Sequence, residues 1–294
     1  MKIRILIAIF SLPLLFLMVL GGTRYAADCL AQAQSVNPPF PSPEFQQRGI
    51  PILMYHKINP DPRAGGLGLR VPPYKFARQM EYLAAHGFHT VSLVDVVDHF
   101  QKGKPLPSRP VVITFDDGYL DNYTYAFPIL KRHGFTATIF VVAGTVGKTN
   151  VFDARVQPVN RMAGWRELRE MAAYGITIGA HTLDHPRLTD LPLEEARRQI
   201  RESKAVLEAG LGRPVEVFSY PYGRYNLKLA RLVKESGYRA AVTTVQGLAR
   251  PGDDPYTLKR VRVMGSYNMQ KFTTELLKYY YYPPAPVAAG GRRY

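Results

Sequence analysis

From about Ile50 the chain repeats one order of hydrophobic and polar positions: an amphipathic stretch of helical period, a glycine, then a short apolar run of strand length. The apolar runs predict strands over Ile52–Tyr55, His89–Val91, Val111–Phe115, Ala137–Val142, Ile176–Ala180, Val215–Tyr220 and Ala240–Thr244, with one more over Arg260–Met264. Between them, helical spacing predicts helices over Tyr74–Ala85, Asn122–Arg132, Trp165–Tyr174, Leu193–Glu208 and Leu227–Ser236. Gly87, Gly134, Gly175 and Gly237 stand where helices should stop, each followed by a hydrophobic residue that would start the next strand. Strand and helix alternate, so the sheet should be parallel. Seven or eight such units predict an α/β fold, a distorted or incomplete (β/α) barrel.

The ends of the chain break this pattern. Lys2 and Arg4 precede an uncharged, mostly apolar stretch from Ile5 to Leu20, and Ala31-Gln32-Ala33 offers a small-x-small cleavage site, which together predict an export leader over residues 1–33. Ile5 to Gly22 also approaches the length that spans a bilayer, so an uncleaved membrane anchor is the alternative. Cys29, the one cysteine, invites a lipoprotein reading, but Asp28 before it and Ala26 where leucine is expected argue against that. Cleavage after Ala33 would leave no cysteine for disulfide or thiol chemistry. Asn37-Pro38-Pro39-Phe40-Pro41-Ser42-Pro43 reads as a stiff spacer within a linker over 34–49, and 46% hydrophobic content is ample for one domain over 50–282. The Pro, Ala and Gly of 283–294 cannot build a core and should be disordered. Tyr279 to Tyr282 could be a sugar-stacking platform or the end of a last helix packed on the barrel.

The formal net charge of +15 changes the picture of partners. Lys2, Arg4 and Arg24 against Asp28 account for two of these charges, so loss of the leader leaves +13. A basic surface suits nucleic acid, membrane headgroups or acidic envelope polymers. The expected export ranks nucleic acid last of these, and there is no aromatic-rich RNA motif or basic helical region to revive it, so no nucleic-acid partner is expected.

Candidate chemistry sits at two predicted strand ends. Asp116 and Asp117 follow Val111–Phe115, and His181 and His185 follow Ile176–Ala180. Enzymes built on parallel strands place their chemistry at that end. Two imidazoles four positions apart plus a carboxylate form a metal-ligand set, and the other carboxylate is then free to act as a base. This is the signature of a hydrolase. Nitrogen and oxygen donors favour zinc, with cobalt, nickel or iron fitting the same set. Spacing alone does not order the two aspartates.

Three motifs carry a resemblance to a known family: Thr114-Phe115-Asp116-Asp117-Gly118, His181-Thr182-Leu183-Asp184-His185 and Ser219-Tyr220-Pro221-Tyr222-Gly223. In order and spacing the chain resembles the polysaccharide deacetylases of the NodB-homology type (carbohydrate esterase family 4) from about Pro51 to Met264. The opening Pro51-Ile52-Leu53-Met54-Tyr55-His56-Lys57-Ile58 further resembles the subgroup that de-N-acetylates poly-β-1,6-N-acetylglucosamine. The resemblance implies Asp116 as general base, Asp117, His181 and His185 as metal ligands, and the backbone N–H of Tyr222, beside Pro221, as an oxyanion donor. Trp165 matches a family position that lines the substrate groove, with core packing as the competing account.

Two departures from the family pattern stand out. Most members carry an arginine where this chain has Ser219, which leaves open what holds Asp116; Arg161, Arg166 and Arg262 are the guesses. The late family histidine that protonates the leaving amine has no counterpart, because no histidine follows His185. In the poly-N-acetylglucosamine subgroup the histidine of Met-Tyr-His supplies that function, which makes His56 the expected general acid. His86, His133, His89 and His99 are read as structural. The implied activity is metal-dependent removal of N-acetyl groups from a β-linked N-acetylglucosamine polymer. Peptidoglycan or chitin-type substrates, or a non-catalytic carbohydrate-binding protein on the same scaffold, are the alternatives.

Overall fold

The computed structural model describes residues 49–281. The proposed leader, nearly all of the linker and the proline-rich tail lie outside the described residues. The apolar runs form β1 (Ile52–Tyr55), β4 (His89–Thr90), β5 (Pro110–Phe115), β6 (Thr138–Val141), β7 (Thr177–Ala180), β8 (Val217–Ser219), β9 (Ala240–Gln246) and β10 (Leu258–Arg262). Two further two-residue strands that the pattern does not predict, β2 (Lys57–Ile58) and β3 (Arg70–Val71), pair with each other. The helices are α1 (Pro73–Ala85), α2 (Leu93–Lys102), α3 (Phe127–Arg132), α4 (Trp165–Tyr174), α5 (Leu193–Leu211), α6 (Leu227–Glu235) and α7 (Met269–Tyr281).

Every pairing between these strands is parallel, and β1-β5-β6-β7-β8-β9-β10 closes on itself because β1 pairs with both β5 and β10. The barrel therefore has seven strands. β4 stands outside the ring, in register only with the first two residues of β5, His89 opposite Pro110 and Thr90 opposite Val111. β1 and β5 are buried along their whole lengths, as expected of strands covered on both faces. Ile52, Val112, Phe140, Val217, Ala240 and Val242 join one apolar core.

The four expected helix stops all have positive φ, from 64° at Gly134 to 115° at Gly175. α2 was not among the predicted helices, although its start is written in the sequence. The Ser92 hydroxyl accepts from the Asp95 N–H while the Asp95 carboxylate accepts from the Ser92 N–H, a reciprocal cap. α3 is entered through a single π turn at Asn122–Ala126, directly behind the Asp-Asp-Gly motif. α7 buries Phe272, Leu276 and Leu277, and Arg250 donates to the carbonyl of Tyr279, so the tyrosine run begins as the end of a packed helix. Among the described residues no helix is long and apolar enough to cross a membrane.

Candidate active site

Three strand ends and two turns bring the motif residues together at the C-terminal mouth of the barrel. β1 delivers His56, β5 delivers Asp116 and Asp117, and β7 delivers His181. After β8 the chain turns at Pro221–Gly223. Five non-glycine residues among those described have positive φ, and four belong to these turns: Asp117 (76°), Thr182 (66°), His185 (61°) and Tyr222 (58°). Such conformations cost on the order of 1–3 kcal/mol each and persist only where the surroundings enforce them. Here the enforcing contacts are visible. Gly118 (φ 82°) lies so close to Val141 that an added Cβ would stand 3.2 Å from its Cα. At Gly223 (φ 68°) a Cβ would meet the backbone nitrogen of Thr244 at 2.6 Å. Both turns depend on glycine to dock on the neighbouring strand.

The His181–His185 segment is folded back on itself by its own side chains. The His185 N–H donates to the Thr182 hydroxyl at 2.9 Å, and the Gln199 amide oxygen on α5 accepts from the N–H groups of Leu183 (3.1 Å) and Asp184 (2.9 Å). The loop thus returns His185 to the side of His181, with ring centroids 4.8 Å apart.

Asp117, His181 and His185 are all buried, and their ligand atoms lie within 4.8 Å of one another. Asp117 Oδ1 stands 3.5 Å from His181 Nε2 and 3.4 Å from His185 Nε2. Those separations match the edge, about 3.4 Å, of a tetrahedron with metal–ligand bonds of about 2.1 Å. His181 Nδ1 lies 2.7 Å from the Ser219 carbonyl, which can only accept, so Nδ1 carries a proton and Nε2 is the ring nitrogen that faces the cluster. Burial pushes the Asp117 carboxyl up, but the two imidazoles outweigh it and hold the group well below its ordinary range. The set could therefore hold a divalent metal ion.

Asp116, the other carboxylate, lines the same cleft as this cluster and is held by a guanidinium. Arg260 on β10 is fully buried and donates from two nitrogens to the two oxygens of Asp116, at 2.8 and 2.7 Å. Further bonds to the Thr243 carbonyl (2.8 Å) and the Thr114 hydroxyl (3.1 Å) fix the fork. Burial raises the Asp116 carboxyl, and the opposing pull of Arg260 brings it down to about 2. Arg161, Arg166 and Arg262 are thus corrected as holders of Asp116. Arg166 is engaged with Glu167, and the backbone of Arg161 bridges Thr149. Ser219 shares the pocket with its hydroxyl 3.3 Å from Asp116 Oδ1, so a small residue leaves room for an arginine arriving from a different strand. His56 Nε2 lies 3.9 Å from Asp116 Oδ2. The Asn122 amide donates to the His56 carbonyl and to Asp121, so the π turn steadies this histidine's backbone.

These groups open into a cleft of about 580 Å³ lined by His56, Asp116, Asp117, His181, His185 and Tyr222, with a wall from the segment 151–157. Tyr222 packs its ring 4.8 Å from that of His185. Its backbone N–H makes neither hydrogen bond of the turn, which run from Gly223 to Tyr220 and from Arg224 to Pro221. Pro221 is buried in the turn and does not line the cleft. Trp165 does not line the cleft: its half-buried ring lies so close to Gly210 of α5 that an added Cβ there would stand 2.2 Å from it. His86 and His133 follow the last residues of α1 and α3 as expected, and His89 and His99 bind the carbonyls of Ser108 and Lys104. Sequence reasoning missed Arg260 and the wall residues Phe152, Asp153, Arg155 and Arg187. The one signal for Arg260 was a charged residue at a buried position of a barrel strand.

A seven-stranded parallel barrel that gathers a two-histidine, one-aspartate cluster beside a second carboxylate defines a hydrolase site. The polysaccharide deacetylase family matches residues 103–241. YxkH of Bacillus subtilis (strain 168), which carries the polysaccharide deacetylase name, is 34% identical over 214 residues, covering 73% of this chain and 71% of that protein. The poly-β-1,6-N-acetyl-D-glucosamine N-deacetylase of Staphylococcus epidermidis is 25% identical over 240 residues, covering 75% of this chain and 81% of the relative. Among solved structures, Streptococcus pyogenes deacetylase PplD in complex with acetate superposes with a TM-score of 0.67 at 27% identity, covering 78% of this chain and 98% of that one. The chain belongs to the polysaccharide deacetylase family, and it is a deacetylase enzyme.

Proposed function

We propose that this enzyme removes N-acetyl groups from a β-linked N-acetylglucosamine polymer outside the cytoplasm, with poly-β-1,6-N-acetylglucosamine as the favoured substrate. The observation that carries this reading is the convergence of His56, the Arg260-held Asp116 and the Asp117–His181–His185 cluster on one cleft. The name of the Staphylococcus epidermidis relative supports the linkage, and the leader supports export, which leaves the enzyme either released or held at the membrane by its N-terminal segment. Asp117, His181 and His185 would hold the cation, zinc before cobalt, nickel or iron. When bound, it supplies Lewis-acid polarisation and makes water acidic enough to attack at neutral pH.

The chain's own groups would do the rest. Asp116 takes the proton of the water that attacks the acetamide carbonyl, the Tyr222 N–H meets the developing oxyanion, and His56 protonates the sugar nitrogen as the carbon–nitrogen bond breaks. Acetate and a free amine result. A non-catalytic carbohydrate binder had only the missing arginine at Ser219 in its favour, and Arg260 fills that place.

Acetate and free amine should appear from β-1,6-linked N-acetylglucosamine oligomers, stop on chelation and return with zinc or cobalt. His181→Ala and His185→Ala should each lose metal content together with turnover. Full activity in exhaustively demetallated protein would overturn the reading. A panel with β-1,4 oligomers and peptidoglycan separates the linkages.

Arg260 gives a second expectation. Arg260→Met strands a buried carboxylate, a loss of about 3–5 kcal/mol of stability. Arg260→Lys keeps the charge while replacing a two-point contact with one. With less to hold it near 2, the Asp116 carboxyl rises, so the acid limb of kcat/KM should move to higher pH in Arg260→Lys. A limb that stays where the parent has it would show that Arg260 does not govern the base.

A further inference from the structure

The cleft wall carries charges that the proposed reaction does not use. Besides the reacting groups it is lined by Arg155, Arg187 and Arg262. Arg155 and Arg187 are exposed, and Arg262 is half-buried at the end of β10. Among the described residues no carboxylate lies within ion-pair distance of any of the three, whereas Arg260 behind them is saturated by Asp116. Arg187 is held over the face of the Tyr222 ring, 5.1 Å from its centroid, so one guanidinium is already oriented on the cleft side of the turn.

Negative charge in the same cleft is already engaged. Asp116 is matched by Arg260 and Asp117 by two imidazoles. Asp153, the remaining acid of the lining, accepts from Asn150 and from the Tyr119 hydroxyl (3.3 Å), and burial pushes its carboxyl up, the neighbouring Asp117 adding to that. The three arginines therefore leave the mouth positive, in a chain whose formal net charge is +15. A concave site focuses such a field and raises the local concentration of anions. Guanidinium forks in particular fit carboxylates and phosphates.

We infer that Arg155, Arg187 and Arg262 form a subsite for an anionic substituent, a carboxylate or a phosphate, on the sugar chain next to the N-acetyl group that is removed. The inference rests on the proposed deacetylase reading and goes beyond it by adding that the preferred N-acetylglucosamine polymer bears acid groups. It carries a further consequence. Each turnover replaces a neutral acetamide with a cationic amine, and a positive cleft repels it, so the enzyme should disfavour sites beside sugars already deacetylated.

The test compares three oligomers on the zinc-loaded enzyme. One is a neutral β-1,6-N-acetylglucosamine tetramer, and the others are the same tetramer with a lactyl ether or a phosphate on O3 of one sugar. At low ionic strength kcat/KM should be about tenfold higher for an acid-bearing tetramer than for the neutral one. Preference for the lactyl or for the phosphate form identifies the group. The advantage should shrink in about 0.5 M salt, where screening acts within a few ångströms. It should vanish in the double variant Arg155→Gln, Arg187→Gln, whose ratio of anionic to neutral kcat/KM should fall to about one. Equal or better cleavage of the neutral tetramer by the parent enzyme, or an unchanged ratio in the double variant, overturns the subsite. Absence of acetate release from all three tetramers would instead be a failure of the deacetylase reading itself.

Discussion

Asp116→Asn should bind its cation and its polymer as the parent does and lose roughly 10²–10⁴ in turnover, the usual effect of removing a positioned general base. The cation set lies in Asp117, His181 and His185, which this change does not touch. What disappears is the acceptor for the water's proton. The parent carboxylate is suited to that task because Arg260 keeps it ionised down to a pH of about 2 against the cost of its burial. The same pairing sets a pH dependence of stability. A carboxyl depressed in the fold stabilises it fully above its unfolded value of about 3.9, and that contribution is lost as pH falls through the folded value of about 2. Asp116→Asn should lack this acid-side loss while being less stable at neutral pH, since an amide offers Arg260 one acceptor where the carboxylate offers two. Metal content, substrate affinity and acetate release together decide the assignment. An Asp116→Asn protein with normal metal content and the parent rate would mean that the two aspartates have exchanged roles, and Asp117→Asn would then be the variant that keeps metal.

Much of this site can be read along the chain because the barrel places chemistry at strand ends, and strand ends are marked by local pattern. Val111–Phe115 and Ile176–Ala180 are apolar runs that stop at polar motifs, and β5 and β7 end within a residue of where those runs end. Arg260 was not legible by the same route. Its partner lies 144 residues away, and nothing local tells which strand interior an arginine will fill. The cleft wall was equally hidden: the residues between β6 and α4 have no period to read, yet they supply Phe152, Asp153 and Arg155. β4 illustrates a different limit. His89–Val91 has the composition of a strand, but whether a strand joins a barrel or only abuts it depends on ring closure between β1 and β5, a property of the whole sheet. Trp165 shows the reverse case, a residue placed in the groove by resemblance and in the packing against α5 by the absence of a side chain at Gly210.

His56→Ala should fold and take up metal like the parent while losing turnover on N-acetyl substrates by a factor of about 10²–10⁴. Amide cleavage requires a proton on the departing nitrogen. His56 Nε2 is placed for that service, 3.9 Å from Asp116 Oδ2, on the rim of the cleft and with its backbone steadied by Asn122. Acetate esters should be spared in part, because a leaving oxygen needs far less protonation than a nitrogen. Burial lowers the His56 imidazole from its ordinary value, against the upward pull of Asp117 and Asp116. The protonated form is therefore lost as pH rises through a value below the usual histidine range of about 6.5, and the alkaline limb of kcat/KM should lie on that side. In His56→Ala that limb should be absent, while the acid limb set by Asp116 remains. A purely structural role would lower amide and ester hydrolysis together and leave the shape of the profile intact. If His56→Ala instead hydrolyses N-acetylglucosamine oligomers at the parent rate, the acid comes from elsewhere, and the main sequence argument for the poly-β-1,6-N-acetylglucosamine subgroup falls with it.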